Sequence, residues 1–597
     1  MNSQALLGVG ALLWLAGFAA AVAQSQASAQ GAAAPAACAE DPSGLALPAG
    51  FCASVFADNI GHARHLVVAP NGVVYVNTWS GRYYANGAAQ VGGYLVALRD
   101  SKGTGVADVN QRFGRTAQTG GHGGTGIALY DEYLYAESND RIVRYVLTAD
   151  SIVPRGAPEV VVSGLPLSGD HPMHPFIIDA DGRLYVDVAS ATNSCQVKNR
   201  TLKSPGIQPC EELKTRGGIW QYEAMKLNQR FSSAGRYATG LRNAEGMALD
   251  SAGHGMWVTQ HGRDQLHNNW PDLYSAEQEA TLPAEELVHL QQGGDYGWPE
   301  CYYDSAQHKL VLAPEYGGDG GKAVGVCAQK LGPVADFPAH WAPNDLLLYE
   351  AHEFPAHYQQ GAFIAFHGSW DRAPYAQGGY NVVFQPLSHG KASGRCEIFA
   401  DGFAGAQKNP GKAAQRPSGL ALGPDGALYI ADDVHGRIYR VVYAGAGGNT
   451  GRSAGPDAVT PCPDADAPAG PMMLSDANPP EGVDPDAGVA PASRLPVAPG
   501  ATQAMVDLGR RVYRGQAGGA GCSGCHGNDG GGTPLGPTLK AHQWLWSDGS
   551  YAAIQRTITE GVSEPKQYRS PMPAMGGAQL SAEQVSAVAA YVWGLSH

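Results

Sequence analysis

Leu66-Val67-Val68-Ala69-Pro70-Asn71-Gly72-Val73-Val74-Tyr75-Val76 sets a turn dipeptide, Asn71-Gly72, between two apolar runs. That arrangement is a hairpin signal, because Asn-Gly tolerates the left-handed backbone a tight β-turn needs. The pattern returns at Phe176-Ile177-Ile178-Asp179-Ala180-Asp181-Gly182-Arg183-Leu184-Tyr185-Val186 and at Leu420-Ala421-Leu422-Gly423-Pro424-Asp425-Gly426-Ala427-Leu428-Tyr429-Ile430. Looser copies begin at Gly126-Ile127-Ala128-Leu129 and Gly246-Met247-Ala248-Leu249. Similar hairpins at irregular intervals of tens of residues are the mark of radially repeated antiparallel sheets. A β-sandwich has no reason to repeat one hairpin over such a length. The pattern predicts an all-β propeller over residues 38–443, with about six blades fitting the length.

Residues 501–597 follow a different rule. Cys522-Ser523-Gly524-Cys525-His526 sets two thiols where they can form thioethers to haem vinyl groups, with the next residue placed to ligate iron. A chance CxxC, a structural metal corner or a redox dithiol would share the cysteines but not their surroundings. Upstream, Met505, Leu508, Val512 and Tyr513 fall near helical spacing. Downstream, Ser581 and Gln584 form a capping-box pattern before Val585, Val588, Ala589, Val592 and Leu595. Between them, Ser570-Pro571-Met572-Pro573-Ala574-Met575-Gly576 offers thioether sulfur as a sixth iron ligand. This segment resembles the Met-Pro-Ala-aromatic stretch of cytochrome subunits in quinoprotein dehydrogenases. The resemblance points to Met572 and leaves Met575 as packing. The reading is a small all-α cytochrome c domain holding covalent haem c.

Residues 5–22 are apolar and end in Ala21-Val22-Ala23-Gln24, a small-x-small cleavage pattern; a second such pattern is Ala27-Ser28-Ala29. A signal peptide over 1–23, cleaved as late as 29, is expected, and with it a periplasmic location. No Lys or Arg precedes the apolar run, so an uncleaved anchor helix is the alternative. No later stretch is long and apolar enough to span a bilayer. Of the ten cysteines, eight remain beside the haem pair, an even number that favours disulfides in an exported chain. Proximity suggests Cys38–Cys52, Cys195–Cys210, Cys301–Cys327 and Cys396–Cys462. The net charge of −14 argues against a nucleic-acid partner and a polybasic membrane contact. From 444 to 500 the chain is dominated by Ala, Pro, Gly and Asp, as a linker would be.

Polar clusters stand just before the repeated strands. They include His122 in Gly120-Gly121-His122-Gly123-Gly124, Asp170-His171-Pro172-Met173-His174, Arg242-Asn243-Ala244-Glu245-Gly246, Gln260-His261-Gly262-Arg263-Asp264, His367-Gly368-Ser369-Trp370-Asp371-Arg372 and Arg416-Pro417-Ser418-Gly419. Singly, each would be an ordinary hydrogen-bonded residue. Their recurrence at equivalent blade positions marks one mouth of the central channel as a site.

At these clusters, together with Gly294-Asp295-Tyr296-Gly297-Trp298-Pro299, the chain from 48 to 443 resembles the soluble glucose/sorbosone dehydrogenases. The resemblance implies a six-bladed propeller that binds pyrroloquinoline quinone (PQQ) and calcium and oxidises aldoses or related sugar carbonyls. It implies His171 as general base, Asp170 as the carboxylate that orients or tunes it, and Arg242, matched with Asn243, as the catalytic arginine that polarises the accepting quinone oxygen. Arg416 matches an arginine for the cofactor's carboxylates, Arg372 is a second clamp, and His122 and Trp370 are further cofactor contacts. Calcium is expected at the Gly262 and Arg263 backbone. The sequence departs from the family pattern at Arg263 (Pro in the family), at Ser190 (Asp) and around Gly121-His122 (Gln), which places it nearer the sorbosone branch. The expectation is a sugar dehydrogenase whose tethered haem passes electrons to an external acceptor, such as another cytochrome, a quinone or an oxidase. A propeller lactonase or metal-dependent hydrolase, or a non-catalytic binding propeller, is the alternative.

Overall fold

The computed structural model of the protein describes residues 43–79, 91–115, 122–250, 255–372, 375–408, 413–445, 460–470, 495–514, 517, 520–527, 530–532, 535–540, 544–568 and 570–597. The expected signal peptide and Cys38 lie outside the described residues, as do Gly121 and much of the expected linker.

Six sheets of four or more strands are the blades. Their first strands, His62–Val68, Ile127–Tyr130, Phe176–Ile178, Met247–Leu249, Pro343–Leu348 and Pro417–Leu422, touch in ring order around the axis. The hairpins read from sequence are the first two strands of blades 1, 3 and 6. Each turn glycine, Gly72, Gly182 and Gly426, has φ between +73° and +78°, a region that a side chain would strain. The looser copies open blades 2 and 4. Blade 5 left no such mark because its first two strands are joined by a long aromatic loop with Tyr349, Phe354 and Tyr358 instead of a tight turn.

The ring closes through the N-terminal strand Phe51–Ala57, which pairs with Ile438–Tyr443 as the outer strand of blade 6. Phe51 is buried there, its ring 4.8 Å from Phe354 and 5.0 Å from Phe399 of blade 5. Chain ends far apart in sequence are thus held together by main-chain pairing and by an aromatic cluster.

The cytochrome domain has a helix over Gln503–Tyr513, capped by Thr502, and another over Ala582–Ser596 with the expected Ser581/Gln584 capping box. They pack closely at Gly509, where an added Cβ would collide with the Ala587 carbonyl. Tyr513 and Tyr591 meet at 5.2 Å between ring centroids. Among the described residues no helix is long and apolar enough to cross a membrane.

Three expected disulfides form: Cys195–Cys210, Cys301–Cys327 and Cys396–Cys462. Cys52 is disulfide-bonded. Parts of the expected linker, 444–500, are anchored at both ends. Thr460 and Pro461 pair with Ile398 and Glu397 of blade 5, the adjacent Cys462 is stapled there, and Leu495 and Pro496 lie against Gly594 on the last helix. A composition poor in apolar residues does not prevent edge pairing once a disulfide holds the strand in place.

Replacing Cys462 by Ser removes a crosslink between residues 66 positions apart, worth about 2–4 kcal/mol in chain entropy. Thermal unfolding of Cys462→Ser should show a less stable propeller under non-reducing conditions, with the haem spectrum unchanged. An unaltered transition would contradict the anchoring role.

Candidate active site

In an antiparallel blade, the residue before the first strand and the residue after the second lie at the same end. His171, Arg242 and Arg416 precede the first strands of blades 3, 4 and 6, whereas Ser190, His261, His367 and Asp433 follow the second strands of blades 3, 4, 5 and 6. All seven therefore gather at one mouth. Their mutual electrostatics agree: Arg242 acts on both His171 and His261, and Arg416 acts on His367.

His171 is buried. Its Nδ1 lies 2.9 Å from the Ser190 carbonyl oxygen and 3.0 Å from Ser190 Oγ. The carbonyl can only accept, so Nδ1 carries the proton and Nε2 keeps its lone pair. Burial first, then the Arg242 and Arg200 guanidiniums, hold its pKa well below the ordinary histidine value. His261 is lowered to about 3 by burial and Arg242, and His367 to about 4 by burial and Arg416. The mouth thus presents neutral imidazoles among fixed cations. His174 is sealed beneath, its Nδ1 3.0 Å from Glu137.

The Asp170 carboxylate accepts from Arg200 Nε at 2.8 Å and from Asn199 Nδ2, and Arg200 in turn acts on His171, so Asp170 bears on the imidazole through Arg200 while Ser190 meets its Nδ1. Ser190, which replaces an acidic residue of the family pattern, was the signal for this. Arg200 could not be found from sequence, because the loop stapled by Cys195–Cys210 brings it over the mouth.

Arg242 is held on three sides: Nη2 donates to Asp264 at 2.7 Å and to Asn193 Oδ1 at 3.0 Å, and Nη1 donates to the Gly262 carbonyl at 2.9 Å. That last bond engages the Gly262 oxygen expected to face calcium, and the Arg263 side chain is turned to buried Glu315. Arg372, the expected second clamp, donates from Nε and Nη1 to the carbonyls of Ala376, Ala280 and Ala339 and so fastens a loop. Arg416 is half-buried and rests on the His367 and Gly368 carbonyls. Two expected contacts keep buried polar atoms without a hydrogen-bond partner, Asn243 Oδ1 and His122 Nδ1.

A cavity of about 120 Å³ lies in the cytochrome domain, walled by Cys522, Cys525, His526, Tyr513, Leu539, Ile558, Met572 and Val588. Neither cysteine is joined in a disulfide. His526 donates from Nδ1 to the Pro537 carbonyl at 2.9 Å, which leaves Nε2 available. Met572 lines the cavity and is fixed by two backbone bonds to Val562, whereas Met575 does not line it. These groups fit a covalent haem. One wall belongs to the propeller: Trp370, expected among the quinone contacts, lines this cavity and meets Gly521. Gln265 and Asn268 likewise approach Gly577. The haem cavity and the mouth are therefore neighbours.

The family described as TrAA12-like matches residues 45–444, and the cytochrome c family matches residues 506–596. A Trichoderma reesei structure of carbohydrate-active enzymes family AA12 superposes with a TM-score of 0.53 at 19% identity, covering 67% of this chain and 98% of that one. The holo form of the pyranose dehydrogenase PQQ domain from Coprinopsis cinerea gives 0.52 at 18% identity, covering 67% and 97%. At these identities the likeness is one of fold. A pyrroloquinoline quinone-dependent sugar dehydrogenase from Hypocrea jecorina is 25% identical over 227 residues, which is 35% of this chain. The chain spans 60% and 49% of the lengths of the curated relatives it matches. By the match to two thirds of its length and the propeller that carries it, the chain belongs to the TrAA12-like family, with a cytochrome c domain joined to the propeller.

Proposed function

We propose that the chain is a periplasmic, PQQ-dependent dehydrogenase that oxidises an aldose or a sorbosone-like sugar aldehyde at the propeller mouth and passes the electrons to its own c-type haem and on to an external acceptor. One observation carries the reading. A single loop supplies His367 to the mouth and Trp370 to the haem cavity wall, so an oxidation at the first lies close to an acceptor in the second. The relatives named as a pyranose dehydrogenase PQQ domain and a quinone-dependent sugar dehydrogenase support the cofactor and substrate class.

The mouth suits an anionic quinone. Arg416 and Arg242 provide positive charge, and Asn243 Oδ1 and His122 Nδ1 are buried polar atoms in need of a partner. These four residues would hold PQQ, which when bound supplies a two-electron acceptor beside His171. His171 takes the substrate's hydroxyl proton at Nε2. Ser190 prevents the ring from turning away, and the nearby Asp264 carboxylate stabilises the imidazolium that results. Cys522 and Cys525 would carry the haem, His526 and Met572 would hold its iron, and it supplies a one-electron acceptor. Trp370 and the apolar wall keep water from that cavity.

The direct experiment adds PQQ to purified protein, supplies aldoses and sugar aldehydes, and follows haem absorbance. Reduction by a sugar only when PQQ is present supports the reading; no reduction by any sugar refutes it. His171→Gln should slow substrate-driven reduction by about 10²–10⁴-fold and leave dithionite reduction intact. Because the His171 pKa is lowered, the base stays unprotonated to below pH 6.5. The acid limb of kcat/KM should therefore fall below that value and vanish in the variant.

Met572→Ala should keep the covalent haem but lower its midpoint potential and admit carbon monoxide. Met575→Ala should do neither, as redox titration and absorbance spectra would record. The reverse outcome would move the ligand to Met575.

A further inference from the structure

Behind Arg242, three potential metal ligands converge: Asp264, His340 and Asp371 present ligand atoms within 4.8 Å of one another. His340 and Asp371 are almost wholly buried, at 3% and 2% exposure. The His340 tautomer follows from its partners. Nε2 lies 2.7 Å from the Glu279 carbonyl oxygen and 3.1 Å from that of Leu282, both of which can only accept, so Nε2 carries the proton and Nδ1 offers a lone pair. That lone pair faces Asp371 Oδ2 at 3.5 Å and Asp264 Oδ1 at 3.9 Å. Three acceptors thus face one another with nothing between them that donates.

The remaining valences are accounted for. Asp264 Oδ2 takes both Arg200 and Arg242, which leaves Oδ1 free to face inward. Asp371 Oδ2 accepts from the Gln265 amide at 2.9 Å, while Asp371 Oδ1 is buried without any hydrogen-bond partner. A buried carboxylate oxygen without a donor is costly. A bound cation would supply the partner that Asp371 Oδ1 lacks.

We propose that Asp264, His340 and Asp371 bind one divalent first-row metal ion of the Mn²⁺ to Zn²⁺ class, a site separate from residues 262 and 263. The donor set of one imidazole nitrogen and two carboxylates suits these ions better than calcium, which takes oxygen ligands. His340 and Asp371 are buried and Asp264 is only partly exposed, so the ion is structural. Its place gives it a purpose: Asp264 adjoins Gln265, and Asp371 adjoins Trp370, residues that touch the cytochrome domain. The ion joins the two loops that make that contact.

The test uses the full-length, haem-loaded protein, stripped with a chelator and titrated calorimetrically with Mn²⁺ and Zn²⁺ separately, alongside Asp371→Asn and His340→Gln. One equivalent should bind, at least tenfold more weakly in each variant, and chelation should lower the unfolding temperature of the wild-type protein but not of Asp371→Asn. Asp371→Asn keeps size and shape, so it decides the matter if His340→Gln fails to fold. No binding, binding that both variants leave unchanged, or binding of calcium alone would overturn the proposal. None of these readouts depends on dehydrogenase activity.

Discussion

The Arg64 guanidinium lies buried on the propeller axis and bridges Glu245 of blade 4 and Asp433 of blade 6, each at 2.8 Å. Removing it would strand two carboxylates in a dry channel, a loss of about 3–5 kcal/mol for a broken buried pair. Its reach also sets the mouth. Asp433 holds His367 at 2.8 Å, and Glu245 stands two residues from Asn243 and three from Arg242. A single cation at the centre of the ring therefore fixes the loops of three blades relative to one another. It also acts on His367, helping to keep that imidazole neutral.

From that floor the structure rises in loops whose lengths no propeller requires. The insertion closed by Cys195–Cys210 carries Arg200 over His171, and the insertion after blade 4's second strand carries Asp264, Gln265 and Asn268. Together with the loop bearing Trp370, these insertions make the surface on which the cytochrome domain sits. The anchoring of residues 460–462 to blade 5 and of 495–496 to the last helix shortens the tether from both ends. A short tether and a shared wall both raise the effective concentration of one site at the other.

Much of this could be read from sequence, and the failures have physical causes. Hairpin turns advertise themselves because Asn-Gly and Asp-Gly serve one backbone geometry, so blades 1, 3 and 6 were plain while blade 5, with its long aromatic loop, was silent. The haem segment was plain for the same reason: thioether and iron chemistry fix its spacing. Side-chain partnership across blades has no such local grammar. Nothing near Asp170 in the chain indicates that Arg200 claims it, and nothing at Gly262 indicates that Arg242 occupies its carbonyl. Trp370 was singled out with the mouth clusters, and its ring lines the cytochrome cavity. Ser190 stood in the sequence as a departure, and its role emerged only with the imidazole beside it.

The account's central claim is that electrons taken from a sugar at the mouth reach the haem of the same molecule. Single-turnover haem reduction, followed by stopped-flow absorbance in PQQ-loaded protein over a hundredfold range of protein concentration, tests this most directly. The account predicts a first-order rate that does not change with protein concentration. A rate that rises in proportion to protein concentration would mean that electrons pass between molecules, and would contradict it.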